Sequence, residues 1–199
     1  MEDNNAETNA EKVSFAVDYG LINTHLLAVS KDKARISLTH VCFEHKDGAL
    51  HIKSCDGRML FHTKIPDHIA CVSGAGEWVA LVNIPSKLKG GVRSPVYVVE
   101  FDGDTAKFTN HAAGDIRLFA RASDITYPNT DQVENFESKK PTKYNPFDPK
   151  ILLAVHEYVG RSAYCHPVCA NNGDESPYQF TSSDSEGVVR RATVVPILT

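Results

Sequence analysis

The chain has 199 residues, of which 42% are hydrophobic and 23% are charged, and its formal net charge at pH 7 is −4. These values are ordinary for a soluble globular protein that is long enough to bury a core. No apolar run approaches the roughly 20 residues of a membrane helix, so the sequence predicts no membrane segment.

Residues 1–12 carry four acidic side chains and one lysine, and they include almost no large apolar residue. This composition predicts a disordered acidic tail rather than a secretory signal. Without such a signal, the five cysteines are expected to be reduced thiols of a cytoplasmic protein: Cys42, Cys55, Cys71, Cys165 and Cys169. The rest of the chain is close to neutral, which still allows one basic face.

The first predicted elements follow this tail. Val13–Val17 alternates like a short strand, and the apolar residues of Tyr19–Ser30 have helical spacing. The best-marked feature is Ile36–Pro66, which predicts three strands and ends on a proline. Two tight turns, Lys46–Gly48 and Cys55–Gly57, would join these strands, because Asp-Gly pairs favour hairpin turns.

The middle of the chain predicts more strands than helices. Trp78–Ile84 is apolar enough for a strand, and Pro85–Lys89 predicts a short helix that begins with proline. Three strands are then predicted, with a turn at Asp102-Gly103 between the first two: Pro95–Phe101, Thr105–Asn110 and Ile116–Ala122. The polar stretch 132–145 is typical of a linker.

The clearest helix is Phe147–Gly160. Asp148 is its predicted N-cap, Pro149 occupies the first helical position, and Gly160 is the predicted C-cap. Three strands are predicted to follow it: Tyr164–Ala170, Tyr178–Ser183 and Val188–Leu198.

The order of helix and then three strands therefore occurs three times, with closing prolines at Pro66, Pro128 and Pro196. This pattern predicts an α+β protein of repeated units, each a helix plus an antiparallel sheet. We expect residues 13–132 to form a domain of two units, 133–146 a linker, and 147–199 a half-domain.

Three motifs, in this order, resemble the bacterial DNA polymerase III β subunit, the sliding-clamp family. They are ISLTHVCFEHKDGALHIKSCDGRML, ARASDITYPNTDQV, and FDPKILLAVHEYVG with the chain end VVPIL. The chain is similar to a shortened form, since it has three units where the family has six.

The resemblance implies the DNA-clamp fold and a homo-oligomeric ring that encircles duplex DNA without regard to sequence. Four copies of a three-unit chain would supply the twelve units of a ring of the family's size. Such a ring is a cytoplasmic processivity factor of DNA replication, and it tethers DNA polymerases or repair proteins through short peptides. The resemblance implies no chemistry, no cofactor and no metal.

The resemblance also implies a peptide pocket between two strands. One wall would be formed by Cys55, Asp56, Gly57, Arg58 and Leu60, and the other by Thr193, Val194, Val195 and Pro196. The apolar residues of the chain end, Val194, Val195, Ile197 and Leu198, are more typical of a buried strand than of a pocket.

Six basic residues are predicted to contact DNA phosphates, because they lie at or beside predicted helix ends: Lys31, Lys33, Arg35, Lys87, Lys89 and Arg93. The alternative is that they form an ordinary solvated face.

No motif for nucleophilic catalysis is present. The segment Cys165–Cys169 has poor spacing for zinc, so two buried thiols are the simpler interpretation. Two other functions stay open beside the clamp. One is a small β-rich protein-binding module that forms no ring, and the other is a hydrolase that uses Cys55 or Cys165.

Overall fold

The computed structural model describes residues 12–74, 76–89, 95–134, 147–160, 168–169 and 177–195. Eleven strands are found in these ranges: β1 Val13–Asp18, β2 Val41–Lys46, β3 Ala49–Cys55, β4 Met59–Pro66, β5 Trp78–Val82, β6 Val96–Asp102, β7 Thr105–Asn110, β8 Asp115–Ala122, β9 Val168–Cys169, β10 Tyr178–Ser183 and β11 Val189–Val194. The α-helices are α1 Tyr19–His25, α2 Asp67–Ala70, α3 Asp131–Glu134 and α4 Pro149–Val159, and short 3₁₀ turns span Leu26–Ala28 and Ile36–Thr39.

The strands form one antiparallel sheet in the order β1-β6-β7-β8-β5-β2-β3-β4-β11-β10-β9. The first unit contains β1 to β4, and the second contains β5 to β8. The first strand of each unit pairs with a strand of the other unit, since β1 pairs with β6 and β5 pairs with β2. Strands β5 and β8 meet only through two residue pairs. The predicted α+β class, a large antiparallel sheet with few helices, is confirmed.

The hairpin turns are those that the sequence predicts. Asp47 and Gly48 both have positive φ, 51° and 66°, as a type I′ turn requires. In the next turn Gly57 has φ 93°, and the Asp56 carboxylate accepts hydrogen bonds from the backbone N–H groups of Arg58 (2.8 Å) and Met59 (2.9 Å). These turns fix the register of β2, β3 and β4.

The two longer helices are capped by aspartates, as predicted for α4 and without a prediction for α1. The Asp18 carboxylate accepts from Gly20 N–H at 2.6 Å, and the Asp148 carboxylate accepts from Lys150 N–H at 2.8 Å. Helix α4 ends at Gly160, where φ is 88°. Helices α1 and α4 pack against each other, and α4 also packs against β10 and β11. No helix in the described ranges is long and apolar enough to cross a bilayer.

Three predictions about elements are wrong. Ile36–Thr39 is a 3₁₀ turn, in which the Thr39 hydroxyl donates to the Ile36 carbonyl (2.7 Å), so the strand begins only at Val41. Residues 85–89 are not helical, because the Asn23 amide bonds both the N–H (2.7 Å) and the carbonyl (2.9 Å) of Leu88 and holds this segment open. Pro128 does not close a strand, since β8 ends at Ala122.

Several other predictions lie outside the described residues. These are most of the acidic tail, the linker from residue 135 to 146, and the cysteine segment apart from the short strand β9. The end of the last predicted strand, from residue 196 onward, also lies outside.

An aromatic cluster joins the two halves of the sheet formed by the first two units. Phe15 lies 5.4 Å from Phe43 and 5.5 Å from Phe101 between ring centroids, and Trp78 lies 5.8 Å from Phe15. Because these rings come from β1, β2, β5 and β6, their burial stabilises the exchange of first strands between the units.

A second cluster joins the third unit to the first. The Tyr158 ring of α4 stacks on Phe61 of β4, with centroids 4.1 Å apart. The Tyr158 hydroxyl bonds the Thr63 hydroxyl (2.8 Å), and His25 bonds both Thr63 and Ser54 at 2.9 Å. Burial lowers the pKa of His25 to about 3, so this ring is neutral at pH 7.

Candidate functional site

The two predicted walls of the peptide pocket meet where β4 pairs with β11. Leu60 lies opposite Thr193, Met59 lies opposite Val194, and the Val195 N–H donates to the Arg58 carbonyl at 2.9 Å. Residues that are more than 130 positions apart in the chain therefore lie side by side on one surface.

A small apolar cavity of about 90 Å³ lies on this surface. Six of the predicted pocket residues line it: Cys55, Gly57, Arg58, Leu60, Thr193 and Val195. Asp56 and Val194 do not line it, because the Asp56 carboxylate caps its own turn and Val194 is fully buried in the core. Pro196 lies outside the described residues.

Three further residues line the same cavity, and no pocket role was predicted for them: Met59, Val133 and Pro177. Val133 ends the motif ARASDITYPNTDQV and belongs to α3, so the motif was recognised but its contact with β4 was not. Val133 is 40% exposed and Val195 is 43% exposed, whereas Leu60 is 3% exposed. An apolar side chain from a partner could therefore pack between the two valines above a floor formed by Leu60.

A buried hydrogen-bond chain holds α3 in position beside this cavity. The Glu134 carboxylate accepts from the Thr130 hydroxyl at 2.5 Å and pairs with His62 Nδ1, while His62 Nε2 lies 2.9 Å from His51 Nδ1. The Glu134 carbonyl accepts from the Gln179 amide at 3.1 Å. The chain thus connects β3, β4, α3 and β10.

The Glu134 carboxylate is the acceptor of its bond with His62 Nδ1, whereas the direction of the bond between His62 Nε2 and His51 Nδ1 depends on the tautomers of the two rings. His51 Nε2 is buried without a partner in the described structure. Burial and the nearby His62 lower the pKa of His51 to about 4. Burial alone would raise the pKa of Glu134, but the hydrogen bonds from His62 and Thr130 and the nearby positive charge hold it below its usual value.

The residues predicted to contact DNA lie in loops. Lys31, Lys33 and Arg35 are exposed between the two 3₁₀ turns, and Arg35 lies 3.7 Å from Asp32. Lys87 and Lys89 are exposed after β5, and Arg93 lies outside the described residues. Lys31, Lys33 and Lys87 converge around one groove.

The two longer helices carry little positive charge. Their exposed side chains include one lysine or arginine, Lys150, whereas Leu152 is 40% exposed and Leu153 is 59% exposed on the same helix. The premise that the basic groups lie at helix ends is therefore wrong for Lys87 and Lys89, because the helix predicted beside them is not formed.

The described cysteines are poor candidates for a nucleophile. The Cys55 sulfur accepts from Gly57 N–H at 3.3 Å, and burial raises the pKa of this thiol. Burial raises the pKa of Cys42 to about 12. Both shifts disfavour the reactive thiolate. Cys165 and His166 lie outside the described residues, and among those that are described no group of three or more metal-ligating side chains is found.

No protein-family model matches the chain, and no curated protein matches it in sequence. Solved structures of sliding clamps do match its fold. The DNA polymerase III β subunit of Thermotoga maritima has a TM-score of 0.59 at 16% identity over 94% of this chain and 66% of its own. The DNA polymerase sliding clamp of Bacillus subtilis has a TM-score of 0.61 at 13% identity over 94% and 64%.

The Helicobacter pylori β clamp bound to a DNA ligase peptide has a TM-score of 0.68 at 13% identity, and the match covers 95% of this chain and 66% of that one. The chain therefore spans slightly less than two thirds of the length of these structures. At such identities, the similarity establishes the fold.

Proposed function

From the sliding-clamp fold of this chain and the cavity between β4 and β11, we propose that the protein is a clamp-like processivity factor or scaffold. It would encircle duplex DNA as a homo-oligomeric ring and bind DNA polymerases or repair proteins through short peptides. The observation that carries this proposal is that the two predicted pocket walls, which are distant in sequence, line one cavity. The proposal includes no chemical step and no cofactor.

The proposed organisation is a domain of two units at 13–132, a linker at 133–146 and a half-domain at 147–199. The exchange of β1 and β5 between the first two units supports their grouping into one domain. Pairing of β4 with β11 over six residue pairs supports a half-domain that extends the same sheet.

Ring formation would use the other end of the first domain. Strand β8 is the last strand of the second unit, as β4 is the last strand of the first. Among the described strands, residues 115–120 of β8 pair with β7 alone, so their other edge has no partner strand. Ile116 is 59% exposed and Leu118 is 66% exposed on this strand. An open strand edge of this kind favours pairing with another chain, so we place the contact between copies here.

The peptide pocket is tested with the double variant Val133→Lys/Val195→Lys, because both valines are exposed and the substitutions should not unfold the chain. The probe is the fluorescein-labelled DNA ligase peptide of the type bound to the Helicobacter pylori clamp, and its binding is followed by fluorescence polarisation. We expect affinity to fall by about tenfold or more, since an apolar anchor would meet two charges.

Leu153→Lys, at an exposed apolar residue of α4, is the matched control and should leave the peptide affinity of the protein unchanged. Equal affinity of the pocket variant and the wild type would contradict the assignment. Leu60→Lys is unsuitable, because Leu60 is buried and its replacement would destabilise the fold.

The contact with duplex DNA would use Lys31, Lys33, Arg35, Lys87, Lys89 and Arg93. Exposure of the five that are described supports this part of the proposal. The contact would be independent of DNA sequence and would weaken as salt rises, because it releases counterions from phosphates. The alternative function, a β-rich binding module that forms no ring, predicts a monomer at all micromolar concentrations.

A further inference from the structure

A second groove lies away from the cavity between β4 and β11 and shares no lining residue with it. It is formed by the 3₁₀ turn Leu26–Ala28, the loop that leads to His40, the segment after β5 and Ile125. Its volume is about 920 Å³, which is near the upper end of the usual range for ligand sites.

The floor of this groove is apolar. Leu26, Leu27, Val29 and Ile125 are half-buried in it, and Ile36 is 57% exposed. Ile36 remains accessible because the backbone turns here as a 3₁₀ helix, none of whose four residues is buried. A partner that covered these side chains would remove apolar surface from water, which is favourable by roughly 25 cal/mol per Å².

The rim of the groove has one sign of charge. Lys31, Lys33 and Lys87 line it, and no Asp or Glu is found among the described residues that line it. The neighbouring Asp32 points toward Arg35, at 3.7 Å. The exposed side chains of Asn83 and Ser86 lie along the same groove and could hydrogen-bond to the backbone of a bound chain.

We propose that this groove binds an acidic amphipathic peptide segment of a partner protein. Two or three large apolar side chains would occupy the floor, and Asp or Glu between them would pair with the lysines at the rim. DNA phosphates would pair with the lysines as well, but they would leave Leu27, Val29 and Ile36 uncovered. An apolar floor inside a lysine rim thus fits a peptide better than a duplex. This site depends neither on ring formation nor on the first pocket. It shares Lys31, Lys33 and Lys87 with the proposed DNA contact, so the peptide and duplex DNA would compete for these lysines.

The test uses a fluorescein-labelled 12-residue peptide that has Leu or Phe at helical spacing and Glu or Asp between them. One control peptide replaces the Leu and Phe residues by Ser at the same charge, and a second replaces the acids by Lys. We expect polarisation to report binding of the first peptide and at least about tenfold weaker binding of either control.

Protein variants locate the binding. Ile36→Ser and the double variant Lys33→Glu/Lys87→Glu should each weaken the acidic peptide by about fivefold or more, and both change only exposed positions. Lys150→Glu, an exposed lysine on α4, and Val195→Lys, in the first pocket, should leave its affinity unchanged. A loss with Val195→Lys would place the peptide in the first pocket and would overturn the proposal.

Three other results would also overturn it. Equal binding of the Ser control would show that charge alone attracts the peptide. If the wild type bound no acidic peptide and the variant Lys33→Glu/Lys87→Glu lost binding to duplex DNA, the groove would be a DNA contact. A change of oligomeric state with Ile36→Ser, measured by sedimentation velocity, would show that a second copy covers the groove.

Discussion

Strands β4 and β8 hold the same place in two successive units, and each has eight residues, but their surroundings differ. Strand β4 lies between β3 and β11, and most of its residues are buried. Strand β8 pairs with β7 and touches β5 only at its end, and three of its residues from 116 to 118 are exposed. The third unit therefore covers the edge of β4 through β11. The equivalent edge of β8 is open in the described structure.

The covered edge is held by more than strand pairing. Tyr158, His25 and Thr63 join α4, α1 and β4 in one buried cluster, and Glu134 and His62 join α3 to the opposite face of β4. Among the described residues no comparable cluster lies on β8, where Ile116 and Leu118 are exposed. We therefore expect substitutions at the β4 edge to change the free energy of unfolding, and substitutions at the β8 edge to change the association of copies of the chain.

The largest effect should come from Tyr158→Ala. This change removes a fully buried ring that stacks on Phe61 and also leaves Thr63 without one hydrogen-bond partner. We expect the free energy of unfolding in urea to fall by about 3–5 kcal/mol. Tyr158→Phe keeps the ring and should lose only about 1 kcal/mol. Equal, small losses in both variants would mean that α4 is not docked on β4 in solution.

Acid should weaken the same edge. The pKa values of His25 (about 3) and His51 (about 4) lie below the ordinary histidine value in the folded state, so folding excludes their protons. The stability that these neutral histidines contribute is fully present above about pH 6.5 and declines as pH falls toward the folded pKa values. The free energy of unfolding lost between pH 7 and pH 5 is roughly 2 kcal/mol per histidine.

Urea unfolding at pH 7 and pH 5 measures this loss. The variant His51→Gln keeps an amide group that can donate to or accept from His62. From pH 7 to pH 5 its free energy of unfolding should fall by about 2 kcal/mol less than that of the wild type. Glu134, whose pKa lies below its usual value, would add to the loss only below about pH 4. A stability that is constant from pH 7 to pH 5 would contradict neutral, buried histidines.

The smallest effect on stability is expected at the open edge. Ile116→Lys/Leu118→Lys should change the free energy of unfolding by less than about 0.5 kcal/mol per site, because both side chains are exposed. The same variant should lose self-association, as measured by sedimentation velocity over micromolar concentrations. An oligomer that persists in this variant would place the contact between copies elsewhere.

Local signals predicted the hairpin turns of the first unit and the ends of α4 well. Asp47-Gly48 has the two positive φ angles that an Asp-Gly hairpin favours, and Asp148, Pro149 and Gly160 mark both ends of α4. At 36–39 the local bond from the Thr39 hydroxyl to the Ile36 carbonyl favours a 3₁₀ turn over a strand, whereas at 85–89 a long-range contact overrides the local helix signal. The bonds from Asn23 to Leu88 join residues 65 positions apart.

The candidate pocket was predicted only in part for a related reason. The pairing of β4 with β11 and the bond between His62 and Glu134, 72 positions apart, depend on the tertiary fold, and no local pattern specifies them. For this reason the sequence did not predict that Val133 lines the cavity. Two predicted pocket residues do not line the cavity, since the Asp56 carboxylate binds the backbone of its own turn and Val194 is buried in the core. Pro196 lies outside the described residues.

The central claim is that copies of this chain close around DNA, and retention on DNA of different topology tests it most directly. The protein is incubated with a nicked circular plasmid, washed at high salt to remove phosphate contacts, and separated by gel filtration before and after the plasmid is linearised. The account predicts that the wild type is retained on circles and lost from linear DNA, and that Ile116→Lys/Leu118→Lys is retained on neither. Equal retention on circular and linear DNA, or retention of the edge variant on circles, would contradict it.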